Sequence, residues 1–210
     1  MKDIFSCNVD INKTAYMNWR TDKHDYIKNI ITVADGFMES SLISAKEVVN
    51  YNYGKRADVV IFPILFNANH AIELYLKAII WTLNVLLKKD RKIEGNHNIN
   101  QMFNTVKSRV MEFETDKERK SQFKKLTQNL SCYLDELNIK INDKTSKNGQ
   151  DNMDFARYPF DNKYINHFYV DTYDNVTVDL ENFINRFTEI GDNLSSIANH
   201  YLYDFLQADN

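Results

Sequence analysis

Apolar residues recur three and four positions apart over most of the chain, which is the spacing of amphipathic helices. The pattern predicts helices over residues 22–51, 55–89, 99–111, 116–137 and 180–206. Pro63 either kinks the second helix or marks its start. Thr115 and Glu118 match the capping box that begins a helix. Residues 164–178 are rich in Tyr, Phe, Val and Thr and roughly alternate, which favours a short β-hairpin.

These elements predict a mainly α fold, a bundle of about five helices. The chain has 210 residues, a length typical of one domain. We expect a single domain over residues 1–210, with an N-terminal arm at 1–21 and a mobile loop at 142–156, because residues 142–154 are polar and nearly without apolar anchors.

Charge and cysteine content narrow the functional classes. The formal net charge is −3, from 26 basic and 29 acidic side chains, so attraction to nucleic acid or an anionic membrane must be local. Cys7 and Cys132 lie far apart and form no CxxC motif, which favours a reducing compartment. The first residues lack the basic start and apolar middle of a secretion signal. We therefore expect a cytoplasmic protein.

The apolar run at residues 59–87 carries a cluster of polar side chains. Asn67, His70, Glu73 and Lys77 interrupt it before about 20 clean apolar residues accumulate, so we expect a core helix and no membrane association. Helix geometry places the last three on one face, with Asn67 one turn earlier. Two interpretations stay open. In the first, Glu73 and Lys77 form an ordinary helix ion pair, and Asn67 and His70 cap a neighbouring element. In the second, the four side chains form a binding site.

Three motifs point to a known family. They are HAIELYLKA at residues 70–78, Gly-x-His ending at His97, and FARYP at residues 155–159, which contains Arg157 and Tyr158. Together they resemble the HEPN superfamily of small prokaryotic helical domains. The resemblance implies a bundle of four or five helices, frequently homodimeric, in which many members are metal-independent ribonucleases of phage-defence or toxin systems and others are catalytically silent.

Nuclease members carry an arginine followed, after four to six residues, by a histidine. Arg91 and His97 fit that spacing, although Lys92 stands where those members usually have a small polar residue or histidine. The resemblance implies that His97 moves a proton and that Arg91 or Arg157 stabilises charge on the phosphate. Arg157 with His167 is a rival pair, but nine residues separate them, which is outside the signature.

Arg157 also has a structural interpretation, in which it pairs with Asp154, Asp161 or Glu73 and pins its loop to the bundle. If the site is functional, Arg157 meets His70 or His97 in one composite cleft. Asn67, His70, Glu73, Lys77 and Tyr158 are then its binding residues.

Other chemistry lacks the necessary motifs. The glycines stand alone, so no phosphate-binding loop or dinucleotide fingerprint is available, and HExxH and GxSxG are absent. His70 with Glu73, and His200 with Asp204, could each supply two metal ligands where three or four are needed. We expect neither a metal nor a cofactor.

The expected partners are RNA or a nucleotide, a second copy of the chain, and a partner protein that the sequence does not identify. A homodimer is expected because three helices carry wide apolar faces, more than a minimal bundle hides. The leading hypothesis is an RNA-acting protein, and the alternative is a non-catalytic module that binds a nucleotide or a protein.

Overall fold

The computed structural model describes residues 2–89, 97–141, 153–170 and 172–207, except for the side chains of residues 153 and 154. These residues form a helical bundle, which confirms the predicted fold class. The α-helices are α1 (Tyr26–Asn50), α2 (Ala57–Leu86), α3 (Ile99–Phe113), α4 (Lys117–Leu126), α5 (Gln128–Ile141) and α6 (Leu180–Asn199). A π-helix, His200–Leu206, continues α6.

Helix α2 forms the centre of the bundle because it is apolar on almost every side. It packs against α1, α3 and α6, and half of its residues are buried. Pro63 lies inside it, at an exposed position, and the helix begins earlier, at Ala57. Among the described residues α2 is long and apolar enough to cross a membrane, a property it shares with the core helices of soluble proteins.

The helix predicted over residues 116–137 is two helices. Thr127, with φ −97° and ψ 6°, separates α4 from α5, and its hydroxyl donates to the carbonyl of Phe123. Thr82, Thr105 and Thr188 make the same bond inside continuous helices, so the bond accompanies the break and is not its sole cause. The start of α4 also differs from the predicted capping box, since Asp116 is the N-cap and accepts from the backbone N–H of Glu118 at 2.8 Å.

The hairpin expected near residues 164–178 is not among the described elements. The described part of this region contains an isolated antiparallel bridge between Phe160 and Asn166, and no strand. Tyr169 instead donates its hydroxyl to the carbonyl of Phe155 at 2.9 Å. This hydrogen bond ties Tyr169 to the turn Met153–Ala156.

The predicted mobile loop falls in two parts. Residues 142–152 lie outside the described residues. Residues Met153–Ala156 form a 3₁₀ turn, and Phe155 and Ala156 are buried in a small apolar cluster with Leu137. Phe155 and Ala156 therefore anchor the end of this segment to the bundle, and this contact fixes the position of the next residue, Arg157.

The N-terminal arm lies on the outside of the bundle. Residues 2–21 are exposed except for the half-buried Thr14. The arm contains one 3₁₀ turn, Ile11–Lys13, which is capped by the side chain of Asp10. The arm contributes nothing to the core.

Candidate functional site

The polar cluster of α2 centres on Glu73, whose side chain is only 10 % exposed. Lys77, one turn later, donates to Oε1 at 2.6 Å. The Nδ1 atom of His97 lies 2.9 Å from the same oxygen, and Nδ1 of His70 lies 3.7 Å from Oε2. One buried carboxylate thus gathers three basic side chains from α2 and from the residue that precedes the N-cap of α3.

These neighbours keep Glu73 ionised. Burial alone would raise its pKa, but the contacts with His70, Lys77 and His97, together with the positive charge of Lys77, outweigh burial and lower the pKa from 4.5 to about 2. The carboxylate is therefore a fixed negative charge at neutral pH. It is a hydrogen-bond acceptor only, so the adjacent Nδ1 of His97 carries the proton of their bond.

His97 combines a fixed orientation with access to solvent. It directly precedes Asn98, the N-cap of α3, whose side chain accepts from the N–H of Gln101 at 2.8 Å. Its side chain is 75 % exposed although Nδ1 contacts the buried Glu73. No described residue hydrogen-bonds Nε2. An imidazole held through one nitrogen and open at the other is suited to proton transfer.

Phe66 joins Arg157 to this cluster. The rings of Phe66 and His70 are nearly parallel, with centroids 5.7 Å apart, and the edge of Phe37 packs against His70 at 4.6 Å. The Arg157 guanidinium lies 5.6 Å from the centroid of Phe66 and 5.6 Å from that of Tyr158. A cation over an aromatic face is attracted by the ring quadrupole. Phe66 thus contacts both the histidine and the arginine.

The predicted site residues have different placements. His70, Glu73, Lys77 and His97 are in direct contact, and Arg157 and Tyr158 join them through Phe66.

Asn67 has a different partner, since its Nδ2 donates to the hydroxyl of Ser40 at 3.3 Å and ties α2 to α1. Arg91 lies outside the described residues.

Two of the three carboxylates expected to pair with Arg157, Glu73 and Asp161, have other partners. Asp161 accepts the backbone N–H groups of Ile165 and Lys163, at 2.9 and 2.8 Å, and the Ile165 bond is the main cause that lowers its pKa. Asp161 thus closes its own turn. The side chain of Asp154 lies outside what the structure describes. His167 packs its ring against Tyr169 at 6.4 Å, within the same segment as Arg157.

Two further residues of α2 were not predicted from the sequence. Phe66 stands four positions before His70 and therefore shares its helix face. The spacing would have identified it, but an apolar residue on this helix was assigned to the core. Asn69 is buried, and its Oδ1 accepts from the hydroxyl of Tyr133 at 2.6 Å. Its Nδ2 has no hydrogen-bond partner among the described residues.

The arrangement favours an anion and a proton transfer over metal chemistry. The imidazoles of His70 and His97 both contact the Glu73 carboxylate, and Lys77 donates to it. Among the described residues, no group of three or more His, Cys, Asp or Glu is placed to hold a metal ion. Comparison with family models, curated proteins and solved structures gives no match to this chain.

Proposed function

We propose that the protein is an RNA-acting member of the HEPN-like helical domains, and that it is a metal-independent endoribonuclease of a phage-defence or toxin–antitoxin system. The observation that carries the proposal is the contact between His97 and Glu73, in which a buried, ionised carboxylate orients an exposed imidazole. The motif resemblance supplies the substrate class, and the geometry supplies a candidate acid/base.

The proposed reaction cleaves a phosphodiester by internal attack. Nε2 of His97 accepts the proton of the RNA 2′-hydroxyl, and the 2′-oxygen attacks the adjacent phosphorus. The bond from phosphorus to the 5′-oxygen breaks, a cyclic phosphate forms, and the leaving oxygen takes up a proton from water, while protonated His97 returns its proton to solvent. Arg157 stabilises the charge that develops on the phosphate, with Arg91 as the other candidate that the motif spacing suggests.

A nuclease assay in the presence of a chelator tests the proposal. We expect purified protein to cut mixed RNA with the chelator present, and His97→Ala to lower the rate about 100-fold or more, as loss of an acid/base group does. His24→Ala is the matched control, because His24 is exposed on the N-terminal side of α1 and its side chain makes no described contact.

Two outcomes would count against the mechanism. If the chelator abolishes cleavage, the chemistry depends on a metal. If His97→Ala cuts as fast as His24→Ala, His97 is not the acid/base. Absence of any RNA cleavage by the wild-type protein would remove the enzymatic assignment altogether.

A second candidate function is a non-catalytic module that binds a nucleotide or a partner protein. The observation that favours it is that Lys77 alone already neutralises Glu73 at 2.6 Å, so the network can serve the fold. Under this proposal Arg157→Ala and His70→Ala each lower the free energy of unfolding by about 1 to 3 kcal/mol, because packed and polar contacts are lost. Under the nuclease proposal Arg157→Ala loses activity while thermal unfolding changes little, whereas His70→Ala lowers stability under either proposal because it loses its contacts with Phe37 and Phe66.

A further inference from the structure

A second pocket, of about 470 Å³, lies between α4 and the π-helix that continues α6. Four of the residues that line it belong to the π-helix: His200, Tyr201, Tyr203 and Asp204. π-Helical segments are rare and occur frequently at functional sites. The pocket shares no residue with the Glu73 cluster, so it is a feature that the proposed cleavage chemistry does not use.

Arg119 presents a guanidinium whose hydrogen-bond donors are unused. Its Nη1 lies 3.7 Å from Oε2 of Glu114, a buried carboxylate that also accepts from the hydroxyl of Tyr201 at 3.0 Å. The guanidinium carbon lies 5.7 Å from the centroid of Phe205. The guanidinium makes no hydrogen bond with any described residue, and the side chain is 53 % exposed. Glu114 and Phe205 thus position a planar fork of donors, the arrangement that pairs with a carboxylate.

His200 and Asp204 place hydrogen-bond acceptors in the same pocket. Nδ1 of His200 lies 2.6 Å from Oδ2 of Asp204, and because an ionised carboxylate only accepts, Nδ1 carries the proton of this bond. Nε2 of the neutral imidazole and Oδ1 of Asp204 are then acceptors, and neither has a hydrogen-bond partner in the part of the chain that the structure describes. The ring of His200 is nearly perpendicular to that of Phe205, with centroids 5.1 Å apart. The imidazole and the Arg119 guanidinium therefore contact the same aromatic ring.

Charge and apolar surface together define the ligand. The described lining residues include one guanidinium and two carboxylates, so a simple anion would face a net negative charge. A molecule with one carboxylate and one ammonium satisfies the donors of the guanidinium as well as the acceptors of the imidazole and the exposed carboxylate. The pocket also has an apolar wall, formed by Phe123, Leu126 and Ile197. An apolar group that leaves water gains free energy on such a wall.

We infer that this pocket binds a free α-amino acid with an apolar side chain. The Arg119 guanidinium binds the carboxylate, Nε2 of His200 and Oδ1 of Asp204 accept from the ammonium, and the side chain lies on the apolar wall. A peptide carries only one of the two charged groups at each end, so the free amino acid is the matching class. The inference does not depend on RNA cleavage, because the two sites share no residue.

Isothermal titration calorimetry with L-phenylalanine tests this inference. We expect the wild-type protein to bind it with a Kd of about 1 mM or lower. Three related compounds each lack one feature: 3-phenylpropionate has no ammonium, L-phenylalanine amide has no carboxylate, and glycine has no apolar side chain. Each should bind about tenfold more weakly or worse, because a hydrogen bond to a charged group and the burial of an apolar side chain each contribute that much.

Variants of the pocket identify the residues that bind the ligand. Arg119→Met and Asp204→Asn should each weaken binding of L-phenylalanine about tenfold or more. Arg56→Met is the matched control, because Arg56 is 57 % exposed and likewise has a carboxylate partner, Glu47, at 3.9 Å. It should change the Kd less than about twofold, since exposed ion pairs contribute little. Circular dichroism shows whether each variant is folded, and the isosteric Asp204→Asn keeps the test decisive if Arg119→Met unfolds.

Three results would overturn the inference. The first is a wild-type protein that binds no L-phenylalanine at about 10 mM. The second is an equal effect of Arg119→Met and Arg56→Met, which would make Arg119 a surface ion pair only. The third is equal binding of 3-phenylpropionate and L-phenylalanine, which would make the pocket an anion site without recognition of the ammonium.

Discussion

Replacement of Glu73 by glutamine should change how the stability of the protein depends on pH. The pKa of this carboxyl is about 2 in the folded protein and 4.5 as its ordinary value. A carboxyl whose pKa falls on folding stabilises the folded state above its unfolded pKa, and this stabilisation is lost as the pH falls toward the folded pKa. The sensitive window therefore lies between about pH 4.5 and pH 2.

The size of the effect follows from the two pKa values. At 1.36 kcal/mol per pKa unit, ionised Glu73 contributes about 3 kcal/mol at pH 7, and about 2 kcal/mol of this is lost by pH 3. Glu73→Gln removes the ionisable group. The free energy of unfolding of the wild type minus that of the variant should therefore shrink by about 2 kcal/mol between pH 7 and pH 3.

Urea unfolding, followed by circular dichroism at pH 7, 4.5 and 3, measures this difference directly. Glu39→Gln is the control, since Glu39 is exposed on α1 and makes no described ion pair. The free energy of unfolding of Glu39→Gln should differ from that of the wild type by no more than about 0.5 kcal/mol at each pH. A Glu73→Gln difference that is the same at pH 7 and pH 3 would refute the conclusion that the network holds Glu73 ionised.

Three further predictions concern packing, polar burial and assembly. Gly191→Ala should lower the free energy of unfolding by about 1 to 3 kcal/mol, because the added Cβ would lie 2.8 Å from Cγ of Met38. Gly36→Ala should raise the free energy of unfolding by about 0.5 to 1 kcal/mol, because nothing lies within 4 Å of its added Cβ. Equal shifts of the two thermal unfolding midpoints would contradict both expectations. Tyr133→Phe should cost about 1 to 3 kcal/mol in urea unfolding by leaving Oδ1 of buried Asn69 without its donor, and an unchanged midpoint would contradict this. Light scattering at micromolar concentration should give twice the monomer mass of 24.8 kDa if the protein is a homodimer, whereas the monomer mass would remove any shared site.

Helix periodicity was sufficient to predict the main elements of the bundle. The predicted interval 180–206 matches α6 together with its π-helical extension, and α2 begins and ends within three residues of the predicted limits. The break at Thr127 was not predictable in this way, because the apolar spacing runs through it. Tyrosine and phenylalanine near residue 169 suggested a strand, but their contacts are tertiary.

The site was predictable to the extent that it lies on one helix. His70, Glu73 and Lys77 are three and four residues apart, so any α-helix brings them together. His97 reaches Glu73 from the start of another helix, and only the family resemblance suggested it. The position of Arg157 depends on the burial of the preceding Phe155 beside α5, which no local pattern encodes.

The composition of the network bears on whether it serves stability alone. Buried ion pairs are often no more stabilising than apolar side chains of similar volume, because removing charges from water is costly. Lys77 donates to Glu73 at 2.6 Å, and both side chains are nearly buried. His97 is a further partner whose side chain stays 75 % exposed, so it hides little apolar surface and satisfies a carboxylate that already has a donor. Stability therefore accounts for the contact with Glu73 but not for the exposed Nε2 of His97, whereas an imidazole oriented by a buried carboxylate and open to solvent is what the proposed proton transfer requires.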